Sequence, residues 1–407
     1  MNPHWSTTRR LRAPLVAVVV AFALIAAAGT ALADRGLERG NARPRPDLQR
    51  ILDSLVTGPG RLAPGATAYV AGPDGTWTGA AGIADVATGR PMQPGLRMHL
   101  DSISKAWTAT LLLELAADGK LRLNDTVERW LPGLLPDGSR ITLRELLNHT
   151  SGLIDSADLT ADPMRFIARV ADPSFRAELL SLWRREQANP GLEAPASVWV
   201  RLAAALPLRS SPGSAYHYSN IGYDIAGMVA ARAGGAPLAS LFHERISAPL
   251  KLGSAAYAPQ GEVPGAHPLE YSIRPDGKAV EATGWYRLGD AAGSGIVSDA
   301  RDEGRFLAAL MKGRLLPAAE LAELETPSRP NANYALGIGI STTGCAGSDF
   351  QHTGAEYSSL ASVLVSPDGS RVAVVLLNGN VSGASGQLDP SAAATVAAAA
   401  LRLYCAA

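Results

Sequence analysis

Short apolar runs broken by turn residues lie at the two ends of the chain, and longer helical patterns fill the middle. At the front, residues 67–70 and 76–81 flank Pro73-Asp74-Gly75; near the end, residues 360–365 and 371–377 flank Pro367-Asp368-Gly369. Each pair reads as two strands joined by a turn that proline and glycine favour. The C-terminal runs predict strands of a half-buried antiparallel sheet. Residues 48–55 predict an opening helix and the Ala-rich stretch 389–404 a closing one. Between them, residues 103–117 carry Leu111, Leu112, Leu113 and Leu115 and are apolar nearly all round, so this helix should be buried on every side. Thr142-Leu143-Arg144-Glu145 matches a capping box, and residues 221–233 run into the stop Gly234-Gly235. The simplest architecture is α+β. An antiparallel sheet domain (47–100 and 285–407) is flanked by N- and C-terminal helices, and a mainly helical domain (101–284) is inserted into it.

The first residues have a different pattern. Arg9, Arg10 and Arg12 precede an apolar stretch over 14–28, and Ala31-Leu32-Ala33 follows as a small-x-small site. This is the layout of an export signal, with cleavage expected after Ala33, a linker over 34–46 and an extracytoplasmic destination. An uncleaved anchor is the other reading, because the apolar stretch approaches the ~20 residues of a membrane span; after cleavage no stable span is expected. Hydrophobic residues make up 47% of the chain and charged residues 18%, which excludes wholesale disorder. Lys+Arg and Asp+Glu both number 37, so there is no basic excess of the kind a nucleic-acid binder carries. The two cysteines, Cys345 and Cys405, form an even pair in a chain expected to reach an oxidising compartment, and a disulfide fits them better than a nucleophile or a zinc site. The histidines show no H-E-x-x-H or paired spacing, so neither a metal nor another cofactor is expected. Oligomeric state is not readable.

The chemistry starts at Ser102-Ile103-Ser104-Lys105, where the apolar helix begins. Spacing i, i+3 puts the Ser102 hydroxyl and the Lys105 amine on one face, one turn apart. A serine is a weak nucleophile until a base takes its proton, and a desolvated lysine can be that base. The Ser102 amide, at the helix start, can face a developing oxyanion. Tyr218-Ser219-Asn220 offers a phenol to relay protons and an amide that both donates and accepts. His352-Thr353-Gly354 then enters the C-terminal sheet, where glycine permits close approach to a strand edge and the Ala355 amide can be a second oxyanion donor.

The ordered trio S-x-x-K, Y-x-N and H-x-G resembles the serine β-lactamase and penicillin-binding protein superfamily, and within it is similar to the secreted D-alanyl-D-alanine carboxypeptidases and class C β-lactamases. Leu146-Leu147-Asn148-His149-Thr150-Ser151-Gly152-Leu153, residues 218–223 and residues 291–295 look like further hallmarks, and the likeness runs from about Leu48 to Cys405. The resemblance implies that Ser102 is acylated, that Lys105 is its base and that Tyr218 shares in proton transfer. It further implies that Asn220, His352, Thr353 and Gly354 hold the substrate, and that the amides of Ser102 and Ala355 form the oxyanion hole. It also suggests a Cys345–Cys405 pair. The function expected is an exported acyl-enzyme hydrolase, D-alanyl-D-alanine carboxypeptidase-like, acting on cell-wall peptides. The rivals are an esterase or β-lactamase on the same scaffold, and a non-catalytic penicillin-binding sensor or scaffold. Small peptides, esters and β-lactams are the expected partners.

Three features depart from that pattern. Asp101 stands before Ser102, where the family usually has a small residue; it reads as an N-cap or as a carboxylate that favours a protonated Lys105. His352 replaces a lysine in the third motif. No Lys or Arg occurs over residues 330–370, so a substrate's free carboxylate would need its charge matched from elsewhere. His149 reads as architecture and His217 as a loop side chain, and the segment 155–209, with Trp183 and Trp199, reads as packed helices, with a roof over the cleft as the other reading.

Overall fold

Both proline-glycine turns close hairpin-like pairs. β1 (Gly65–Gly72) and β2 (Gly75–Asp85) meet around Pro73 and Asp74, with Gly72 opposite Gly75. The computed structural model describes residues 44–155, 163–188, 195–259, 261–283, 292–342, 345, 347–382 and 389–407. The export-type leader, the linker up to residue 43 and the expected boundary at 285 lie outside the described residues. β3 (Arg90–Pro91), β4 (Gly339–Thr342), β5 (Ser348–Ala355), β6 (Leu360–Val365) and β7 (Val372–Leu377) complete a seven-stranded sheet in the order β3-β2-β1-β7-β6-β5-β4. Every pairing in it is antiparallel. The first and last strands in sequence thus meet in the middle, Ala66 opposite Leu377 and Ala71 opposite Val372.

The sheet is more deeply buried than the alternation suggests. All six residues of β6 and all six of β7 are buried, which corrects the half-buried expectation. Helices cover both faces. On one, α1 (Pro46–Asp53) and the closing helix, Pro390–Cys405, bury Leu48, Leu52, Val396 and Leu403 against Ala68, Val70, Val375 and Leu377. On the other, Tyr69, Val374 and Leu376 meet a larger core that includes α2 (Ser104–Ala117). With both faces apolar, a strand has no reason to alternate. Every residue of α2 from Ser104 to Leu115 is buried, at roughly 1.5–3 kcal/mol for each large apolar side chain. Its second turn is fixed by Trp107, which stacks on Phe306 of the Ala300–Met311 helix at 4.1 Å and donates its indole N–H to Glu303 at 3.0 Å.

The capping box at Thr142 forms with both of its hydrogen bonds and opens Leu143–Leu147. Trp183 and Trp199 lie on the helices Pro173–Ala188 and Ala196–Ala205 and pack, partly buried, against the main core. Among the described residues, no single helix is long and apolar enough to cross a membrane. Cys345 and Cys405 are disulfide-bonded, joining the segment before β5 to the end of the closing helix.

Candidate active site

The short strand Met98–His99 pairs with Ile296–Ser298 and delivers the chain to a 3-10 turn, Asp101–Ile103, before α2 begins at Ser104. Ser102 therefore sits in the turn rather than in the helix proper, half-exposed, while Lys105 lies in the first helical turn and is fully buried. The i, i+3 geometry brings Lys105 Nζ to 2.9 Å from Ser102 Oγ. Asp101 does not cap the turn. It adopts a left-handed φ of 52°, and its carboxylate accepts from the Ser359 hydroxyl instead.

The lysine's surroundings dictate its chemistry. Nζ donates to Asn220 Oδ1 at 2.7 Å and to the Gly293 carbonyl at 3.1 Å, in addition to its contact with Ser102. Both of those acceptors demand an N–H. When the amine is neutral it keeps two N–H bonds for them, and its lone pair is left for the serine proton. Burial pushes Lys105 down to about 8, against the opposing pull of the carboxylates of Asp155, Asp224, Glu356 and Asp101. A free amine is therefore accessible near neutral pH.

Ser219 caps α3 (Asn220–Gly234) by accepting from the Gly222 N–H at 3.2 Å, and its own hydroxyl donates to the Ile154 carbonyl at 2.8 Å. The cap places Asn220 at the first helical position, where its N–H donates to Asp155 Oδ1 at 2.8 Å and its side chain meets the lysine. Immediately before the cap, Tyr218 donates its phenolic O–H to Ser102 Oγ at 2.9 Å. Burial holds the Tyr218 phenol well above its ordinary range, so it stays protonated and can act only as a donor or as a relay.

The third segment forms the edge of the site. β4 pairs with β5 only over residues 348–351, and the turn after β5 is closed by the Glu356 N–H donating to the Ser359 carbonyl at 3.0 Å. Because hydrogen-bonded pairs alternate along an antiparallel ladder, that bond puts Ala355, opposite Leu360, at a non-hydrogen-bonded position towards β6. The main-chain groups of Thr353 and Ala355 thus face the other edge. Gly354 is required by contact: a Cβ there would lie 2.4 Å from the Leu100 carbonyl oxygen and 2.8 Å from the Asp101 Cβ. The strand lies directly against the turn that carries Ser102.

His352 is not at the open edge. Its ring is buried, with Nε2 at 3.1 Å from the Tyr334 hydroxyl and Nδ1 at 3.0 Å from the Thr353 carbonyl. Burial and the neighbouring Lys105 push it down to about 3, so it is neutral. It belongs to an aromatic cluster centred on His149, whose ring lies 4.2 Å from that of Tyr218, 4.8 Å from Tyr334 and 5.3 Å from Tyr223. His149 has a left-handed φ of 60°, and its Nδ1 accepts from the Ser219 N–H at 3.1 Å. It therefore backs the phenol as well as shaping the turn.

The sequence reading singled out Ser102, Lys105, Tyr218 and Asn220, and the structure brings these four together. It missed the Gly293 carbonyl, Asp155, Tyr334 and the Asp101–Ser359 contact. The 291–295 stretch was visible as a hallmark, but a backbone carbonyl leaves no mark on residue type. Among the described residues, no group of acidic, histidine or cysteine side chains is arranged to hold a metal ion.

A serine hydroxyl shared between a buried amine and a phenol, beside the edge of an antiparallel sheet, is the equipment of the serine acyl-transfer hydrolases. The chain belongs to the Beta-lactamase family, whose model matches residues 48–398. It is similar to the esterase EstB of Burkholderia gladioli, 32% identical over 187 residues that cover 44% of this chain and 43% of that protein. It is also similar to the D-alanyl-D-alanine-carboxypeptidase/endopeptidase AmpH of Escherichia coli K12, 27% identical over 172 residues, 40% of this chain and 37% of that one. The chain thus spans less than half the length of these curated relatives in its matches. Among solved structures, a D-stereospecific amidohydrolase from Streptomyces sp. superposes with a TM-score of 0.69 at 29% identity, covering 86% of this chain and 98% of that one. The D-amino acid amidase of Ochrobactrum anthropi SV3, with D-phenylalanine bound, shares the fold with a TM-score of 0.70 at 23% identity over 88% of this chain and 96% of that one.

Proposed function

We propose that this protein is an extracytoplasmic serine hydrolase that cleaves small amides, peptides or esters of D-amino acids through an acyl-enzyme on Ser102. The observation that carries the reading is the placing of Ser102 Oγ at 2.9 Å from both Lys105 Nζ and Tyr218 Oη, with the lysine buried. Neutral Lys105 takes the Ser102 proton as Oγ attacks the carbonyl carbon. The oxyanion is received by the N–H groups of Ser102 and Ala355. The proton held by Lys105 is handed on through Tyr218, which gives its own to the leaving nitrogen or oxygen as the C–N or C–O bond breaks; water then attacks the acyl carbon, its proton returns to Ser102 Oγ, and the acid is released. Asn220, His352, Thr353 and Gly354 serve the substrate, Asn220 and the strand edge directly and His352 from beneath. The leader and the disulfide support export.

The charges around the nucleophile favour this substrate class. Four carboxylates, those of Asp155, Asp224, Glu356 and Asp101, act on Lys105. Among the described residues, this surplus of negative charge is less suited to a terminal carboxylate than to an amide, an ester or an amino group. The D-alanyl-D-alanine carboxypeptidase reading, favoured by the likeness to AmpH, stands second for that reason.

Turnover of a D-amino acid p-nitroanilide, a p-nitrophenyl ester, a D-Ala-D-Ala peptide and a cephalosporin, measured side by side, tests the assignment. The anilide and the ester are expected to lead, and Ser102→Ala is expected to abolish all turnover and all labelling by a fluorescent β-lactam. Full activity in Ser102→Ala would overturn the mechanism. Preference for the D-Ala-D-Ala peptide would overturn the substrate class alone.

A further inference from the structure

We infer that Asp101 and Ser359 form a latch that holds the two halves of the oxyanion hole at a fixed separation, making Asp101 a positioning residue for Ser102 and Ala355. The inference rests on the acyl-enzyme reading above. Asp101 is adjacent to Ser102, and Ser359 lies in the short turn that follows Ala355. Both residues are buried, at 0% and 1% exposure. The Ser359 hydroxyl lies 3.0 Å from each carboxylate oxygen of Asp101, a bridged contact between the nucleophile turn and the edge-strand turn.

Three further observations show that these segments are held to one another rather than merely adjacent. The Ser359 carbonyl accepts from the Glu356 N–H, so moving Ser359 moves the turn that carries Ala355. Gly354 lies so close to Leu100 and Asp101 that no side chain fits between strand and turn. A second clasp runs alongside: Ser358 Oγ donates to Glu270 Oε2 at 3.1 Å, and Glu270 Oε1 lies 2.7 Å from His99 Nδ1, two residues before Asp101. The left-handed backbone at Asp101 fits the same purpose, because it turns the carboxylate back towards the sheet while the chain continues into Ser102. Asp and Asn tolerate this conformation better than other non-glycine residues.

The position thus acts through geometry, over and above its charge, which is one of four that act on Lys105. Two single substitutions separate these. Ser359→Ala keeps the charge and cuts the latch; Asp101→Asn removes the charge and keeps an oxygen acceptor in a residue suited to the backbone. Each purified variant is compared with wild type in thermal unfolding, in kcat and KM on a p-nitrophenyl ester, and in the pH profile of kcat/KM. For Ser359→Ala, kcat should fall about tenfold or more, part of the roughly 10²–10³ that removal of an oxyanion donor costs. KM and the acid limb of the profile should change little. Asp101→Asn should keep most of kcat, with the acid limb moved to slightly lower pH because one of the four carboxylates acting on Lys105 is lost. Wild-type kcat in Ser359→Ala, or a kcat in Asp101→Asn no better than that of Ser359→Ala, would overturn the latch. Ser102→Ala is assayed in parallel: if it stays active, the acyl-enzyme reading fails, whereas an inert Ser102→Ala beside an unaffected Ser359→Ala removes the latch alone.

Discussion

The proton inventory around one lysine sets the behaviour of the site. Lys105 must be neutral to accept the Ser102 proton, and burial brings it to about 8. The rate on a neutral ester should therefore rise with pH through this region and level off above it, following a single ionisation. A flat profile between pH 6 and 9 would remove the lysine from the role of base. The same depression appears in stability. The folded pKa lies below the unfolded value near 10.4, so between about 8 and 10.4 the unfolded chain holds more protons and stability rises with pH. Measured by urea unfolding against Lys105→Met, the wild type should gain about 3 kcal/mol across that window, and no relative gain would mean that the amine is solvated. His149 and His352 contribute no charge, since burial pushes both below their ordinary range.

Elements carry these residues into place, and here the sequence was most legible. The hairpin turns, the capping box at Thr142, the glycine stop after α3 and the all-apolar α2 could each be read locally, because each is a local decision of backbone and periodicity. Sheet burial was not readable, since it depends on helices from distant parts of the chain covering β6 and β7 from both sides. Nor were the partners of Asp101 and Lys105, which lie across the fold at Ser359 and Gly293. Glu303 shows how such packing stores free energy. Buried between the Ala300–Met311 helix and α2, it accepts from the Trp107 indole, and burial raises it to about 8 from 4.5. An acid with a raised folded pKa costs stability as pH climbs from its unfolded to its folded value. Glu303→Gln keeps the acceptor and removes the ionisation, so its advantage over wild type should grow from pH 4.5 to 8 and reach about 5 kcal/mol. A constant difference across that range would show that Glu303 is already ionised in the folded state.

At the scale of the molecule, the chain's front and back strands meet at the centre of one sheet, and the last helix seals its outer face. The Cys345–Cys405 bridge spans 60 residues and ties that helix to the approach of the edge strand. Loop-closure entropy gives such a bridge about 4 kcal/mol. Cys405→Ser should lower unfolding stability by about this amount, read from the denaturant midpoint at constant m, and an unchanged midpoint would mean that the bridge constrains nothing. Both cysteines are exposed, so reductant can reach the bond without prior unfolding. Manufacture of the enzyme is therefore sensitive to where it is made. Material folded in a glutathione-rich cytosol would lack its fastening beside the edge strand, and periplasmic or secreted preparations should give a firmer and more uniform product.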